Sequence, residues 1–233
     1  FHYLGTYQTE EEAAKAPNDP NAQGRKKHAG DAIFEDVNND GQLDSKDMKF
    51  MGYIRPDKVG GIVNSFKYKG LTVRVVMDWA MGHVIDNGFK GQIMGSSRNN
   101  NNAIKDAMTN SWQSANDGTK YPKYTVQSDY DYQYRNHMRW DNQIGSSESG
   151  STNNSLYFSK GDYLAFREVS LSYMLPSTWV RKIRLSGVEV FAGAYNIGYI
   201  KKYDGMFPEI YTGVDYGVYP RPRQYNMGVK INF

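Results

Sequence analysis

The stretch Leu71–Met81, LTVRVVMDWAM, decides the fold. Read in steps of two, it puts Leu71, Val73, Val75, Met77, Trp79 and Met81 on one face. Thr72, Arg74, Val76, Asp78 and Ala80 fall on the other. A period of two belongs to an extended strand, whose side chains alternate between the faces of a sheet. At ~3.3 Å per residue such a strand spans a bilayer when tilted. The last ten residues, QYNMGVKINF, repeat the pattern: Tyr225, Met227, Val229, Ile231 and Phe233 against Gln224, Asn226, Gly228, Lys230 and Asn232. Alternation alone leaves two architectures open. In a soluble sandwich the apolar face is core; in a barrel it faces lipid.

Working outward, three further segments read as strands. In 61–69, Phe66 and Tyr68 share one parity, with Lys67 and Lys69 on the other. In 163–175 the alternation runs from Val169 through Leu171, Tyr173 and Leu175, with Ser170 and Ser172 opposite. Arg167 shares the apolar parity there, a misfit unless it lies at headgroup level or a bulge resets the register. The segment 188–197 is mixed on both parities, so its lipid side is not assignable from sequence. The connections alternate in length. Gly70 alone separates the first pair of strands, a long polar stretch follows over 82–162, then PSTWVRKIRLSG, then a second long loop over 198–223. Short turns alternating with long loops are the habit of transmembrane barrels, whereas loops this long are uncommon in compact soluble domains.

Composition agrees. Nineteen tyrosines, ten phenylalanines and four tryptophans sit in a chain whose mean hydropathy is −0.71. Strands with aromatic girdles and polar loops combine those properties; a soluble helical domain rarely does. The formal charge is +3 with the charged residues scattered, and the RKK run at 25–27 reads as a solvated loop. That leaves no electrostatic footprint for nucleic acid. Absence of cysteine excludes disulfides and thiolate metal sites. No apolar run approaches the ~18 residues of a membrane helix. The sequence starts without Met or a signal peptide, as a fragment of a longer chain would.

One motif carries metal chemistry. DVNNDGQLDSKD, residues 36–47, places Asp36, Asn38, Asp40, the Gln42 carbonyl, Asp44 and Asp47 at the six ligand positions of a calcium loop, with Gly41 at the sharp turn. The oxygen-only donor set suits a hard cation. Asp at the twelfth position, in place of a bidentate Glu, resembles the dockerin-type loop. The alternative is a solvated turn of the Asn-Gly and Asp-Gly kind. Neither flank has the periodicity of a long amphipathic helix, so a static Ca²⁺ clamp is expected rather than a sensor. Enzymatic signals are poor. His2, His28, His83 and His137 are dispersed, and there is neither an HExxH, a GxSxG nor a P-loop. The carboxylates of DYDYQYR at 129–135 read as a polar loop rather than glycosidase chemistry. No enzyme is expected.

The chain resembles the C-terminal part of SusC/RagA-type TonB-dependent outer-membrane transporters of Bacteroidetes. The resemblance rests on GDAIFEDVNNDGQLDSKDMKFMGYIRPDKVGGI, FKYKGLTVRVVMDWAMGHVI, SWQSANDGTKYPKY, GDYLAFREVSLSYMLPSTWV, VEVFAGAYNIGYIKKYDGMFPEI and YPRPRQYNMGVKINF, in the family's order. It implies an all-β fold: the last quarter or so of a plugged, 22-stranded transmembrane antiparallel barrel with long extracellular loops. Residues 1–57 would be an extracellular loop region carrying the calcium-type loop 36–47. Residues 58–233 would hold the final strands, about 61–69, 71–81, 163–175, 188–197 and 224–233, with outer loops 82–162 and 198–223. Phe233, following alternating aromatics in the periplasm, resembles a barrel assembly signal. The resemblance further implies TonB-driven import of oligosaccharides or peptides, with a SusD-like lipoprotein as lid. Trp112, Tyr121, Tyr124, Tyr132, Tyr134 and Trp140 in the long outer loop are the candidate platforms for substrate. The rival reading is packing of those rings against neighbouring loops or the lid. Phe207 before Pro208 and Glu209 departs from the family's Asp-Pro-Glu and puts a polar role at 207 in doubt. The alternative from another class is a secreted, calcium-stabilised β-sandwich that binds glycans.

Overall fold

The computed structural model describes residues 1–95, 105–119, 121–125, 131, 136 and 154–233. The chain forms two compact units. One comprises 1–52, 84–159 and 210–217; the other comprises 53–83, 160–209 and 218–233.

The second unit is a five-stranded antiparallel sheet. Strands β3 (Lys58–Tyr68), β4 (Leu71–Met81), β7 (Tyr163–Met174), β8 (Gly187–Lys201) and β9 (Gln224–Asn232) follow one another in chain order. Against the expected segments, β3 starts three residues earlier and β8 runs four residues further. The β3–β4 turn consists of Lys69 and Gly70, at φ 45° and 88°. Two positive φ values define a type I′ turn, whose twist matches the strands it joins. A Cβ on Gly70 would lie 2.7 Å from the Met174 carbonyl oxygen, so glycine is required by space as well as by φ.

Register assigns every strand its faces, because directly opposed residues point to the same side. One face carries the cross-strand rows Tyr68–Leu71–Tyr173–Val190–Val229 and Phe66–Val73–Leu171–Ala192–Met227. The row Asn64–Val75–Val169–Ala194–Tyr225 continues it. The opposite face carries Lys67–Thr72–Ser172–Phe191–Gly228 and Ser65–Arg74–Ser170–Gly193–Asn226. The apolar side of β8, ambiguous in the sequence, is therefore that of Val190, Ala192 and Ala194. Phe191 lies on the polar face, its ring so close over Gly228 that a Cβ there would meet it at 2.6 Å. Many apolar-face residues are exposed in this sheet, up to 88 % for Met227. A sheet with one such face needs an apolar environment on that side.

The register slips at Arg167. Val76 opposes Glu168 and Met77 opposes Phe166, so β7 holds one residue more than β4 at this point. Against β8, Asn196 and Ile197 are also passed over. The bulge restores apolar parity beyond it, giving the rows Ile62–Met77–Phe166 and Gly60–Trp79–Leu164–Ile200. Arg167 is thereby freed from the apolar side. Between β7 and β8 the chain makes the short helix α4 (Ser177–Val180) and a 3₁₀ turn at Arg181–Ile183.

The first unit is built from short elements. Strands β1 (Tyr3–Thr6) and β2 (Ala32–Phe34) pair antiparallel. Ala32, Phe34 and Leu43 form a small core against Phe1 and Tyr3. The long connection after β4 is folded rather than plain loop. It contains β5 (Val84–Asp86), which pairs with β6 (Phe158–Lys160), and helices α2 (Gly88–Gly95) and α3 (Lys105–Thr109). A second core of Ala107, Tyr121 and Tyr157 holds it together. Helix α1 (Glu10–Ala13) is capped by Thr9, whose hydroxyl accepts from the Glu12 amide. Among the described residues no helix is long and apolar enough to cross a membrane.

Candidate functional site

Three constellations stand out. In the loop Asp36–Asp47, Asn39 and Gly41 take positive φ values of 58° and 78°, which curls the backbone around its own carboxylates. The Asp36 carboxylate accepts from the amides of Asp40 and Gly41, at 3.2 and 2.8 Å. Asn38 accepts from Asp40, and Asp40 from Gln42. Asp47, fully buried, accepts from Val37 and Asp44. Leu43 anchors the loop: it is 1 % exposed in the β1–β2 core, and its amide donates to the Asn18 carbonyl at 2.8 Å. The Lys46 ammonium lies 3.5 Å from Asp40 and 3.4 Å from Asp44. The Asn38 amide, the Gln42 N–H and Lys46 hold the Asp40 carboxyl below its ordinary range; Lys46 is raised chiefly by Asp44. The donor set fits calcium in chemistry, oxygen only, with each carboxylate oriented by an amide. In this conformation no three acidic or histidine side chains converge as a metal cluster among the described residues.

The second constellation is a cavity of about 320 Å³ bounded by Met108, Ser111, Trp112, Gln113, Lys123 and Tyr124. Backbone bonds from Trp112 to the Tyr121 carbonyl and from Tyr121 to the Asn110 carbonyl hold its walls. The Trp112 ring packs on Gly30, where a Cβ would meet it at 2.5 Å. Ser111 Oγ, Trp112 Nε1 and the Tyr124 hydroxyl are buried without a hydrogen-bond partner among the described residues. Each such atom costs about 1–3 kcal/mol. Of the six aromatic candidates, Trp112 and Tyr124 line this cavity. Tyr121 does not: it is enclosed in the Ala107–Tyr157 core, and its hydroxyl donates to Asp106 at 3.0 Å. Tyr132, Tyr134 and Trp140 lie outside the described residues. Ser111 carried no sequence signal; only the fold buries its hydroxyl without a partner among the described residues.

The third is the bulge. Arg167 turns to the polar face and binds the Asp78 carboxylate through Nε and Nη2. Its Nη1 reaches Glu209 at 2.5 Å and the Tyr199 hydroxyl at 3.2 Å. Tyr199 also donates to Glu209, at 2.5 Å, and Arg221 lies 3.1 Å from its other oxygen. Glu209 is almost wholly buried, and Arg167, Tyr199 and Arg221 close on this one acid. Tyr163, Tyr199 and Phe207 stack edge to face beside it, at 5.8 and 5.9 Å. Phe207 serves as a ring in this cluster. The parity misfit at Arg167 was the sequence signal for the bulge; its partners Asp78, Tyr199 and Glu209 had none.

An antiparallel sheet with one apolar face, one polar face bearing ion pairs and a bulge that keeps those faces apart has the make-up of a section of a transmembrane β-barrel wall. The chain is 24 % identical, over its full length, to TonB-dependent receptor P3 of Formosa agariphila, and 24 % identical over 88 % of its length to receptor P39 of the same organism. It is 26 % identical over 39 % of its length to TonB-dependent receptor SusC of Bacteroides thetaiotaomicron. Among solved structures it superimposes over its full length on the RagAB peptide transporter, with a TM-score of 0.65 at 21 % identity. The closed-closed RagAB peptide importer gives 0.61. The chain spans 22 % of the first relative and 22 % of the first structure. No protein-family model matches it. In sequence it is similar to TonB-dependent receptors, SusC among them, and it has the fold of a section of the RagAB structure. Those relatives are named receptors, and the solved structure is titled a peptide transporter.

Proposed function

We propose that the chain forms part of the barrel subunit of a TonB-dependent importer in the bacterial outer membrane. It would work with a SusD-like surface lipoprotein and bring in oligosaccharides or peptides. The observation that carries this reading is the continuous apolar face across β3, β4, β7, β8 and β9, maintained through the bulge. Lipid is the environment that face requires. The relatives point the same way: one is named SusC, and the solved neighbour is titled a peptide transporter. Membrane fractionation of the full-length protein tests it. The protein is expected to stay in the membrane through salt and carbonate and to need detergent for release. Extraction without detergent would sink the importer and favour the secreted β-sandwich. Deleting TonB in the same host should abolish uptake.

In this reading the calcium-type loop lies outside the cell and the C-terminal end of β9 in the periplasm. Asp36, Asn38, Asp40, the Gln42 carbonyl, Asp44 and Asp47 would hold Ca²⁺, which would supply a charge cross-link across the loop. Extracellular calcium is millimolar, enough to fill weak sites. Lys46, which pairs with Asp40 and Asp44, would compete with the ion for those carboxylates. Chelation should then raise protease cleavage near 36–47 without altering barrel stability, and Lys46→Met should tighten calcium binding a few-fold. Unchanged cleavage with and without chelator would remove the clamp.

A further inference from the structure

The connection between β7 and β8 carries a concentration of charge that solute import does not call on. It exposes Arg181, Lys182 and Arg184, and none of the three has an ion pair among the described residues. In the same turn Trp179 and Ile183 are 63 % and 65 % exposed. We propose that this turn is a docking surface for the anionic headgroups of phospholipids in the periplasmic leaflet, an inference that rests on the import reading above.

The turn is built around one buried side chain. Val180, at the end of α4, is 2 % exposed, and its carbonyl accepts from the Leu185 amide. The residues between them stay outside. Arg184 closes the 3₁₀ turn at φ 58° and ψ 31°. That left-handed conformation suits glycine, and the chain holds an arginine there at a cost. The Ser186 amide donates to the Asn232 carbonyl, and the Met174 amide to the Gly70 carbonyl. The turn therefore sits at the end of the sheet where β9 finishes, next to the β3–β4 turn and its Lys69. In the import reading that end is periplasmic.

Charge complementarity selects an anionic partner. Residues 58–77, 169–188 and 218–233 contain no acid, and Glu189 is the first acid met beyond the turn. Toward the other end of the sheet, by contrast, Lys202 is paired with Asp162 and Arg221 with Glu209. An acidic protein segment would answer the charge alone. Trp179 and Ile183 favour lipid, because the turn follows directly on the last rows of the apolar face. Those rows are Tyr68–Leu71–Tyr173–Val190–Val229 and then Val188–Ile231. Where the apolar face stops, headgroups begin. Tryptophan, with an apolar body and one polar N–H, belongs at that level, and exposed lysine and arginine there meet phosphate.

The test uses the purified full-length transporter in detergent and native mass spectrometry, with phosphatidylglycerol and phosphatidylcholine of equal chain length as probes. The wild type is expected to hold phosphatidylglycerol at least tenfold more tightly. A cation near an anionic lipid surface contributes about fivefold. Arg181→Gln, Lys182→Gln and Arg184→Gln should each lower phosphatidylglycerol binding by about that factor. Combined, they should lower it more than tenfold, with phosphatidylcholine unchanged. Heat-shifted gel mobility checks the barrel. Arg184→Gly, which removes a charge and suits the left-handed backbone, serves should a glutamine variant fail to fold. Equal retention of the two lipids by the wild type, or an undiminished preference in the folded variants, overturns the docking surface. An undiminished preference with loss of TonB-dependent uptake in the triple variant would give the surface to an acidic periplasmic protein instead. If the preference is absent while the protein needs detergent for release and uptake depends on TonB, only the docking surface falls. Carbonate extraction of the protein overturns the import reading whatever the lipids do.

Discussion

Arg167 hydrogen-bonds Asp78, Tyr199 and Glu209 at once, and its position explains why. A cation on the lipid side of a barrel costs about 2–4 kcal/mol near the midplane. The bulge moves it to the polar face, where Asp78, Tyr199 and Glu209 receive it. The pairing is not decorative, because Glu209 is buried: removing one partner of a buried pair leaves an uncompensated charge. Arg167→Met is therefore expected to destabilise this cluster by about 3–5 kcal/mol. The effect should show as faster proteolysis around Phe207–Glu209, and the double variant Arg167→Met with Glu209→Gln should recover part of it. A double variant no better than the single one would mean that Glu209 is held by Arg221 and Tyr199 alone. Arg167 was visible in the sequence as an offence against alternation. Its partners were not, since 78, 199 and 209 are brought together only by strand register and by the return of the chain after β8.

Among the elements, the β3–β4 hairpin makes the sharpest demand on single residues. Lys69 adopts a left-handed conformation that costs a non-glycine residue about 1–2 kcal/mol, while Gly70 adopts one freely. Gly70→Ala adds both that cost and a clash with the Met174 carbonyl, whereas Lys69→Gly relieves strain. The first variant should lower the yield of heat-modifiable barrel and the second should hold or raise it. Equal yields would mean that β3 and β4 find their register without the turn. Strands were the legible part of this fold because period two survives in β4 and β9, and in β7 on either side of the bulge. Strand β8 was opaque for a physical reason. Its outward residues include Ala192 and Ala194, its polar-face residues include Phe191 and Tyr195, and hydropathy by parity therefore carries almost no contrast. Only pairing with β7 and β9 fixes its sides. The connection 82–162 was opaque differently: Ala107, Tyr121 and Tyr157 form its core from positions too far apart to leave a periodic trace. The Trp112 cavity shares that origin. The aromatic pair could be picked out as residue types, but neither the enclosure of Tyr121 nor the orphaned Ser111 could.

At the scale of the molecule, the question is what covers the apolar face. A barrel sets it against lipid; a sandwich sets it against a second sheet. Charge substitutions do not separate the two, because lysine at Leu171 is costly in either. Oxygen and a nickel chelate as relaxing agents do separate them, since oxygen enters lipid and the chelate does not. These 233 residues contain no cysteine, so within them an introduced cysteine is the one site for a nitroxide. Leu171 and Ser172 are adjacent in β7 and point to opposite faces, opposing Val73 and Thr72 respectively. In the membrane-embedded protein, the label in Leu171→Cys should be relaxed by oxygen and shielded from the chelate. The label in Ser172→Cys should respond to the chelate wherever the lumen holds water. Continuing the series through Arg167 gives a stricter measurement. The two-residue rhythm of oxygen access along β7 should break there and resume with Phe166 and Leu164 outward. An unbroken rhythm through 167 would contradict the bulge, and an outward face closed to both agents would contradict the barrel.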